Sequence, residues 1–332
     1  MSKILITGAS GFIGSFIVEE ALRRGMDVWA AVRPTSSRRY LTDKRINFIE
    51  LDFSSTEKLK SRLEDHTFDY VVHAAGVTKC LHRDDFRRVN TEGTKHLVDA
   101  LLELSMPIKR FVFLSSLSVF GAVCERQPYR DITDDDIPRP NTAYGRSKLE
   151  AERYLESIGN DFPYIILRPT GVYGPRETDY FLMAKSIAAH VDFAVGFRRQ
   201  DITFVYVKDV VQAVFLAFDR GMSGRRYFLT DGQVYSSADF SNLLRRELGN
   251  PWMMRIVAPL WMLRLITWAG ERISHITGRP TPLNADKYHI LRQRNWRCDV
   301  EPTFDELGYH PHYQLDRGVK ETVAWYKDNK WL

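Results

Sequence analysis

The segment Thr7-Gly8-Ala9-Ser10-Gly11-Phe12-Ile13-Gly14 lies directly behind an apolar start, Ile4-Leu5-Ile6, and constrains the fold more than any other stretch of the chain. Glycines at this spacing suit the point where a first strand turns into a first helix, and Phe12 to Leu22 carries a helical pattern. The glycines permit a tight turn and close approach of the backbone to a ligand. The helix N-terminus behind them offers unpaired N–H groups and the positive end of a dipole, which suits a pyrophosphate. A glycine triplet alone often serves only a turn, so the reading rests on its position between strand and helix.

Apolar segments then alternate with helical patterns, with strands expected near Lys3–Thr7, Asp27–Arg33, Ile46–Leu51, Tyr70–Ala74, Lys109–Ser115 and Tyr164–Arg168. Runs such as Phe111-Val112-Phe113-Leu114 are continuously apolar, as strands buried on both faces should be. The expectation is an α/β fold: a Rossmann-type doubly wound parallel sheet over residues 1–168 with a smaller, mixed α/β substrate-binding portion over 169–332. A ligand then lies beyond the carboxyl ends of the strands.

This second portion is expected to interleave with the core, and within it residues 251–276 read as an apolar helical segment. Arg255, Pro259 and Arg264 interrupt it, and its longest uncharged run is eight residues, short of the roughly 20 needed to span a bilayer. Packing on the core or on a second copy is the plain reading. A lid over an apolar substrate and a helix lying on a membrane surface are the other two, and peripheral membrane contact stays open.

The 332 residues are 44% hydrophobic and 27% charged, as in an ordinary folded protein, with no internal repeat or low-complexity stretch. The net charge of +5 suits an anionic cofactor. No basic run combines with stacking aromatics, so a nucleic-acid partner is not expected. Cys80, Cys124 and Cys298 are few, odd in number and widely spaced, which argues against a disulfide framework and against a zinc site, and no metal is expected. Met1-Ser2-Lys3-Ile4 enters a strand at once without a signal-peptide pattern, so a cytoplasmic location is expected.

Tyr144 and Lys148 are four apart on a pattern from Asn141 to Ser157 that reads as a helix, which puts both side chains on one face. A free tyrosine titrates near pH ~10 and is a poor base at neutrality, but a nearby ammonium favours its phenolate. This pair follows Ser115-Ser116, at the end of an apolar strand, by some thirty residues. Together with the glycine turn it predicts proton transfer coupled to hydride transfer, hence an enzyme.

In order along the chain these parts include His73-Ala74-Ala75-Gly76, Asn90-Thr91-Glu92-Gly93-Thr94, Ser115 to Gly121, Tyr144-x-x-x-Lys148 and Arg168-Pro169-Thr170-Gly171-Val172-Tyr173-Gly174-Pro175. The set resembles the extended short-chain dehydrogenase/reductase family of the NAD-dependent epimerase/dehydratase superfamily, nearest its dihydroflavonol-reductase and 3β-hydroxysteroid-dehydrogenase branch. The resemblance implies Ser116, Tyr144 and Lys148 as catalytic residues; alignment on Val119-Phe120-Gly121 selects Ser116 over Ser115. It further implies cofactor contacts from Gly8, Gly11, Phe12, Ile13 and Gly14, from Arg33 and Arg38, from Asp52 and Phe53, from Ala74, Ala75, Gly76 and Thr78, and from Asn90 and Thr170, with Tyr144 and Lys148 shared. Asn90 is expected either to order the lysine or a water, or to cap or kink its helix. His73 is expected to be structural.

At the end of the second strand, where an acid would favour NAD, the chain reads Val32-Arg33-Pro34. Arg33 can pair with a 2′-phosphate, with Arg38 or Arg39 adding a second charge, so NADP is favoured over NAD. A bare stacking role for Arg33 would admit either cofactor.

Many nucleotide-sugar members of the family carry an asparagine where this chain has Gly171, and an arginine just before the Phe204-Val205-Tyr206-Val207 segment, where it has Ile202-Thr203. Dehydratases carry Asp-Glu where Leu117-Ser118 stand. The expectation is therefore an oxidoreductase interconverting a secondary alcohol and a ketone on an apolar alicyclic small molecule, of hydroxysteroid or dihydroflavonol type, acting as a homodimer. A nucleotide-sugar 4-epimerase is the alternative, and a non-catalytic NADP-sensing protein a further one.

Overall fold

In the computed structural model, which describes residues 1–277 and 284–332, each apolar run of the N-terminal half forms a strand. These are β1 (Lys3–Thr7), β2 (Asp27–Val32), β3 (Asn47–Glu50), β4 (Tyr70–His73), β5 (Arg110–Leu114) and β6 (Tyr164–Pro169). A seventh strand, Arg226–Leu229, escaped the sequence reading because it is only four residues long and lies far beyond the alternating half. The sheet order is Arg226–Leu229, β6, β5, β4, β1, β2, β3, with every neighbouring pair parallel.

Alternation along the strands explains the continuous apolar runs. Ile4, Ile6, Val72, Val112 and Leu114 join one core layer with Phe16, Ile17 and Ala21 of the helix Phe12–Arg23 and with Val210 and Val214 of the helix Val207–Arg220. Leu5, Val71, Phe111 and Phe113 point the other way, onto Leu59, Leu97, Leu101 and Leu155 of the helices Thr56–Leu63, Gly93–Glu103 and Ala143–Ile158. Each fully buried aliphatic or aromatic side chain contributes roughly 1.5–3 kcal/mol relative to exposure, so both faces must be apolar for the sheet to persist.

From β1 the chain builds outward through β2 to β3, then returns to the other side of β1 for β4, β5 and β6. This reversal opens a crevice at the carboxyl ends of β1 and β4, which is where a sheet of this kind accepts a ligand.

Beyond residue 169 the elements are shorter. Gly171–Tyr173 pairs with Phe204–Tyr206, Val191–Val195 with Met254–Ala258, and Asp201–Ile202 with Asn295–Trp296. The apolar segment 251–276 is not one helix, which corrects the sequence expectation. Met254–Ala258 is a strand, and the helix starts after Pro259 and runs Leu260–Thr277. The strand forms because Arg255-Ile256-Val257 finds a parallel partner in Asp192-Phe193-Ala194, a long-range pairing that overrides local helical pattern.

Candidate active site

The crevice begins at Gly8, whose φ of +66° lies in the left-handed region; a Cβ there would stand 2.6 Å from the Ala74 carbonyl oxygen and 2.7 Å from the Ala75 nitrogen. Glycine thus lets the ends of β1 and β4 touch. The Gly11 N–H donates to the Gly8 carbonyl at 2.9 Å and closes the turn. Gly11 also stands at the N-cap of the helix Phe12–Arg23, which has no side-chain cap and no acidic residue in its first turn. An uncapped helix start beside a close-approach glycine turn is a fitting seat for the pyrophosphate of a dinucleotide.

His73, at the end of β4, is fixed by a hydrogen-bond chain. Thr94 Oγ1 donates to the Asn90 carbonyl at 2.6 Å, so it accepts from His73 Nε2 at 2.9 Å, and His73 Nδ1 in turn accepts from Thr7 Oγ1 at 2.7 Å. The Thr7 hydroxyl oxygen takes the Ala75 N–H at 3.2 Å. The network specifies one neutral tautomer. Burial, with the Lys148 charge as a second cause, pushes the imidazole down to about 3, as a structural histidine requires.

Asn90 lies in a π-helical turn, Arg87–Glu92, a wide turn often retained at functional sites. Its Oδ1 accepts from the Val77 N–H at 2.8 Å and its Nδ2 donates to the Val77 carbonyl and to Ser147 Oγ, each at 3.0 Å. It thereby clamps the loop after β4 to the helix Ala143–Ile158. A Cβ on Gly76 would stand 3.0 Å from Asn90 Oδ1 and 3.3 Å from Lys148 Nζ, so the loop, the asparagine and the lysine converge.

The helix Ala143–Ile158 is set close to the end of β5 by Gly145: a Cβ there would lie 2.3 Å from the Ser118 carbonyl oxygen. Ser116 opens the short turn Leu117–Val119, its Oγ accepting from the Ser118 N–H at 3.1 Å and donating to Ser118 Oγ at 3.1 Å. Tyr144 is half-buried beside it. Burial pushes its phenol up to about 12, while a hydrogen bond with Ser116 acts in the opposite direction. Ser115, by contrast, is buried and its hydroxyl has no partner among the described residues.

Lys148 Nζ donates to the Leu114 carbonyl at 2.8 Å and lies 4.6 Å from the Phe113 ring centroid, and burial is the largest influence on the Tyr144 phenol. Burial lowers the lysine itself to about 8, with Glu152 one helical turn on opposing that shift. The pair therefore combines a protonated phenol with an ammonium that titrates near the physiological range.

Arg33 is exposed just past β2 and forms no ion pair among the described residues, whereas Arg38 lies 4.4 Å from the Phe48 ring centroid and 4.0 Å from Glu50. Arg39 lies over Tyr40 at 4.5 Å. Asp52 is held by Lys58 at 2.8 Å, and Phe53 packs 5.9 Å from the His73 ring. Thr78 is exposed, and the Thr170 hydroxyl donates to the Leu229 carbonyl at 3.2 Å.

Two contacts to the helix Ala143–Ile158 carry no short-range signal or only a weak one. Asp286 accepts from the Ala143 N–H at 2.9 Å, supplementing the Thr142 hydroxyl that caps Gly145, and the Phe86 ring stands edge-on to Tyr144 at 6.4 Å between centroids. Thr142 preceding a helical pattern was a readable cap signal; Asp286, far along the chain, carried none.

Comparison with known proteins agrees with this geometry. Residues 4–229 match the model of the NAD dependent epimerase/dehydratase family, and the chain belongs to that family of NAD-dependent enzymes. It is 26% identical to a UDP-glucose 4-epimerase of Vibrio cholerae, covering 97% of this chain and 94% of that one. It is 25% identical to the decarboxylating sterol-4-alpha-carboxylate 3-dehydrogenase erg26 of Schizosaccharomyces pombe, covering 99% of both. The fold matches the UDP-glucose 4-epimerase of Thermotoga maritima, solved with UDP-glucose, with a TM-score of 0.78 at 23% identity over 99% of each chain. Sugar-nucleotide and sterol enzymes are thus similar to nearly the same degree.

Proposed function

We propose that the chain interconverts a secondary alcohol and a ketone on an apolar alicyclic substrate, of hydroxysteroid or dihydroflavonol type, and prefers NADP. The observation that carries the substrate class is the packing at Gly171. A Cβ there would stand 2.7 Å from the Tyr180 hydroxyl and 3.2 Å from Phe204, so the space an added side chain would need is taken by these rings, and the glycine itself offers a diphosphate no polar side chain. The neighbouring position is likewise committed: Thr203 is buried and its hydroxyl donates to the Trp296 carbonyl at 2.6 Å. Leu117 is buried beside Ser116 and supplies no carboxylate, which weighs against elimination of water.

In reduction, Ser116 and Tyr144 hydrogen-bond the carbonyl oxygen, and Tyr144, protonated at neutral pH, passes its proton to that oxygen. Lys148, anchored on the Leu114 carbonyl, keeps N–H bonds to spare and would hold the ribose of a bound cofactor. When bound, the nicotinamide supplies the hydride. Gly8, Gly11, Phe12, Ile13 and Gly14 would receive the pyrophosphate of a bound cofactor; Asp52, Phe53, Ala74, Ala75, Gly76 and Thr78 would serve its adenosine side, and Asn90 and Thr170 its nicotinamide end. The unpaired Arg33 is the seat for a 2′-phosphate, and the existing contacts of Arg38 make it the weaker one.

The test is a spectrophotometric screen of cyclic hydroxysteroids, flavanone-type ketones and UDP-sugars with both cofactors, with product analysis. Net change in nicotinamide absorbance with an alicyclic substrate supports the reading. Interconversion of UDP-sugars without net absorbance change would replace it with 4-epimerisation.

A further inference from the structure

The helix Leu260–Thr277 buries only one side. Leu263, Thr267 and Ser274 are buried, while Trp261, Leu265 and Trp268, spaced four and three apart, keep 66%, 57% and 58% of their surface exposed. Ile273 and Ile276 extend the exposed face toward the end of the helix. The strand pair before it exposes further apolar side chains. Ile256 pairs with the exposed Phe193, and the Gly196 N–H donates to the Ala258 carbonyl at 2.8 Å, which brings the exposed Phe197 to the helix start. An exposed apolar helix face carrying two tryptophans marks an interaction site.

The exposed charges beside this face are basic. Arg255, Arg264 and Arg272 are exposed, and the Arg272 guanidinium lies 5.5 Å from the Trp268 ring centroid. The acids nearby are already occupied: Asp192 is buried 3.6 Å from Arg255, and Glu271 lies 3.7 Å from Arg83. An apolar ridge with tryptophans at its rim and arginines beside it is complementary to the acyl and phosphate layers of an anionic bilayer. A second copy of the chain is a poorer match, because a two-fold contact would set this basic face against itself, and the acids beside it among the described residues, Asp192 and Glu271, already face Arg255 and Arg83. Among the described residues no helix is long and apolar enough to cross a membrane, so the contact is superficial.

We propose that the face formed by Trp261, Leu265, Trp268 and the flanking Arg264 and Arg272 docks the protein on the surface of an anionic phospholipid bilayer. The docking is independent of the substrate reading: it stands or falls on the surface alone.

The test is flotation of the full chain with vesicles of phosphatidylcholine, with and without phosphatidylglycerol, across a salt series. Binding is expected only to the vesicles containing phosphatidylglycerol and is expected to weaken with salt. The double substitution Arg264→Glu with Arg272→Glu should reduce it by at least about tenfold, the expectation for reversing two interfacial charges. Trp261→Ser with Trp268→Ser should reduce it comparably. Because these side chains are exposed, the melting midpoint of either variant should equal that of the parent; a parent that fails to float on anionic vesicles overturns the proposal. So does a charge-reversed variant of unchanged melting midpoint that binds as well as the parent. Leu265→Asp that converts a dimer to a monomer, in a parent without vesicle binding, assigns the face to a second copy instead.

Discussion

The Asp286 carboxylate accepts a hydrogen bond from the backbone N–H of Tyr144 at 3.3 Å, across 142 residues of sequence. The helix Ala285–Arg292 therefore caps the helix that carries Tyr144 and Lys148, and the C-terminal portion helps to set the position of Tyr144.

Asp286→Ala should remove this cap and cost about 0.5–2 kcal/mol of stability, the usual range for a lost N-cap acceptor. Because Tyr144 sits in the first turn, turnover should fall with cofactor affinity little changed, whereas Asp286→Asn should restore part of it. Unchanged turnover with the expected drop in melting temperature would limit Asp286 to a structural role.

Tyr144→Phe should retain the cofactor and lose turnover by at least about a hundredfold, the lower range for a positioned acid–base group. Ser116→Ala should lose less, since Tyr144 still donates the proton. Ser115→Ala should be close to neutral for turnover. Steady-state rates of the three variants side by side check the assignment of Ser116 over Ser115.

The depressed lysine gives a pH dependence of definite sign. Lys148 is an ammonium below about pH 8 and largely neutral above it. If the ammonium is the form that holds the ribose, affinity is full below that value and falls as pH rises, by up to about tenfold per unit. Binding above pH 8 should then take up a proton, which calorimetry in buffers of different ionisation enthalpy detects. Lys148→Met should bind more weakly at low pH and lose the dependence.

Arg33→Asp should shift preference from NADP toward NAD, because a carboxylate repels a 2′-phosphate and accepts from a ribose diol. Titration of both cofactors into both proteins measures it. Equal preference before and after would move the specificity to Arg38 or Arg39.

Arg168 and Glu152 form an ion pair at 2.6 Å with side chains only 3% and 0% exposed. Glu152→Gln leaves the guanidinium short of its innermost counter-charge and should destabilise the fold by about 3–5 kcal/mol, the usual cost of breaking a buried pair. Asp134, 2.5 Å from Arg168, should hold the loss toward the lower end. The same change removes the group that raises Lys148, so the pH limit on cofactor binding should move down. Denaturant unfolding and the affinity profile read the two effects separately.

Features written in short-range pattern were legible in the amino-acid sequence. Ile4-Leu5-Ile6 and Phe111 to Leu114 announced doubly buried strands, the glycines after Thr7 announced the turn, and the four-residue spacing of Tyr144 and Lys148 placed them on one helical face, because strand and helix periods are properties of neighbouring residues. Features that depend on what folds back were decided only in three dimensions. Met254–Ala258 became a strand because Val191–Val195 lay beside it, and Lys148 turned to the Leu114 carbonyl because that acceptor stood within reach at the end of β5. Asp286 reached the start of the helix Ala143–Ile158 by the same route. Periodicity told that Trp261, Leu265 and Trp268 share a face. Whether that face packs inward or meets solvent depends on the surface placed opposite it, and the residues along one helix do not encode that surface.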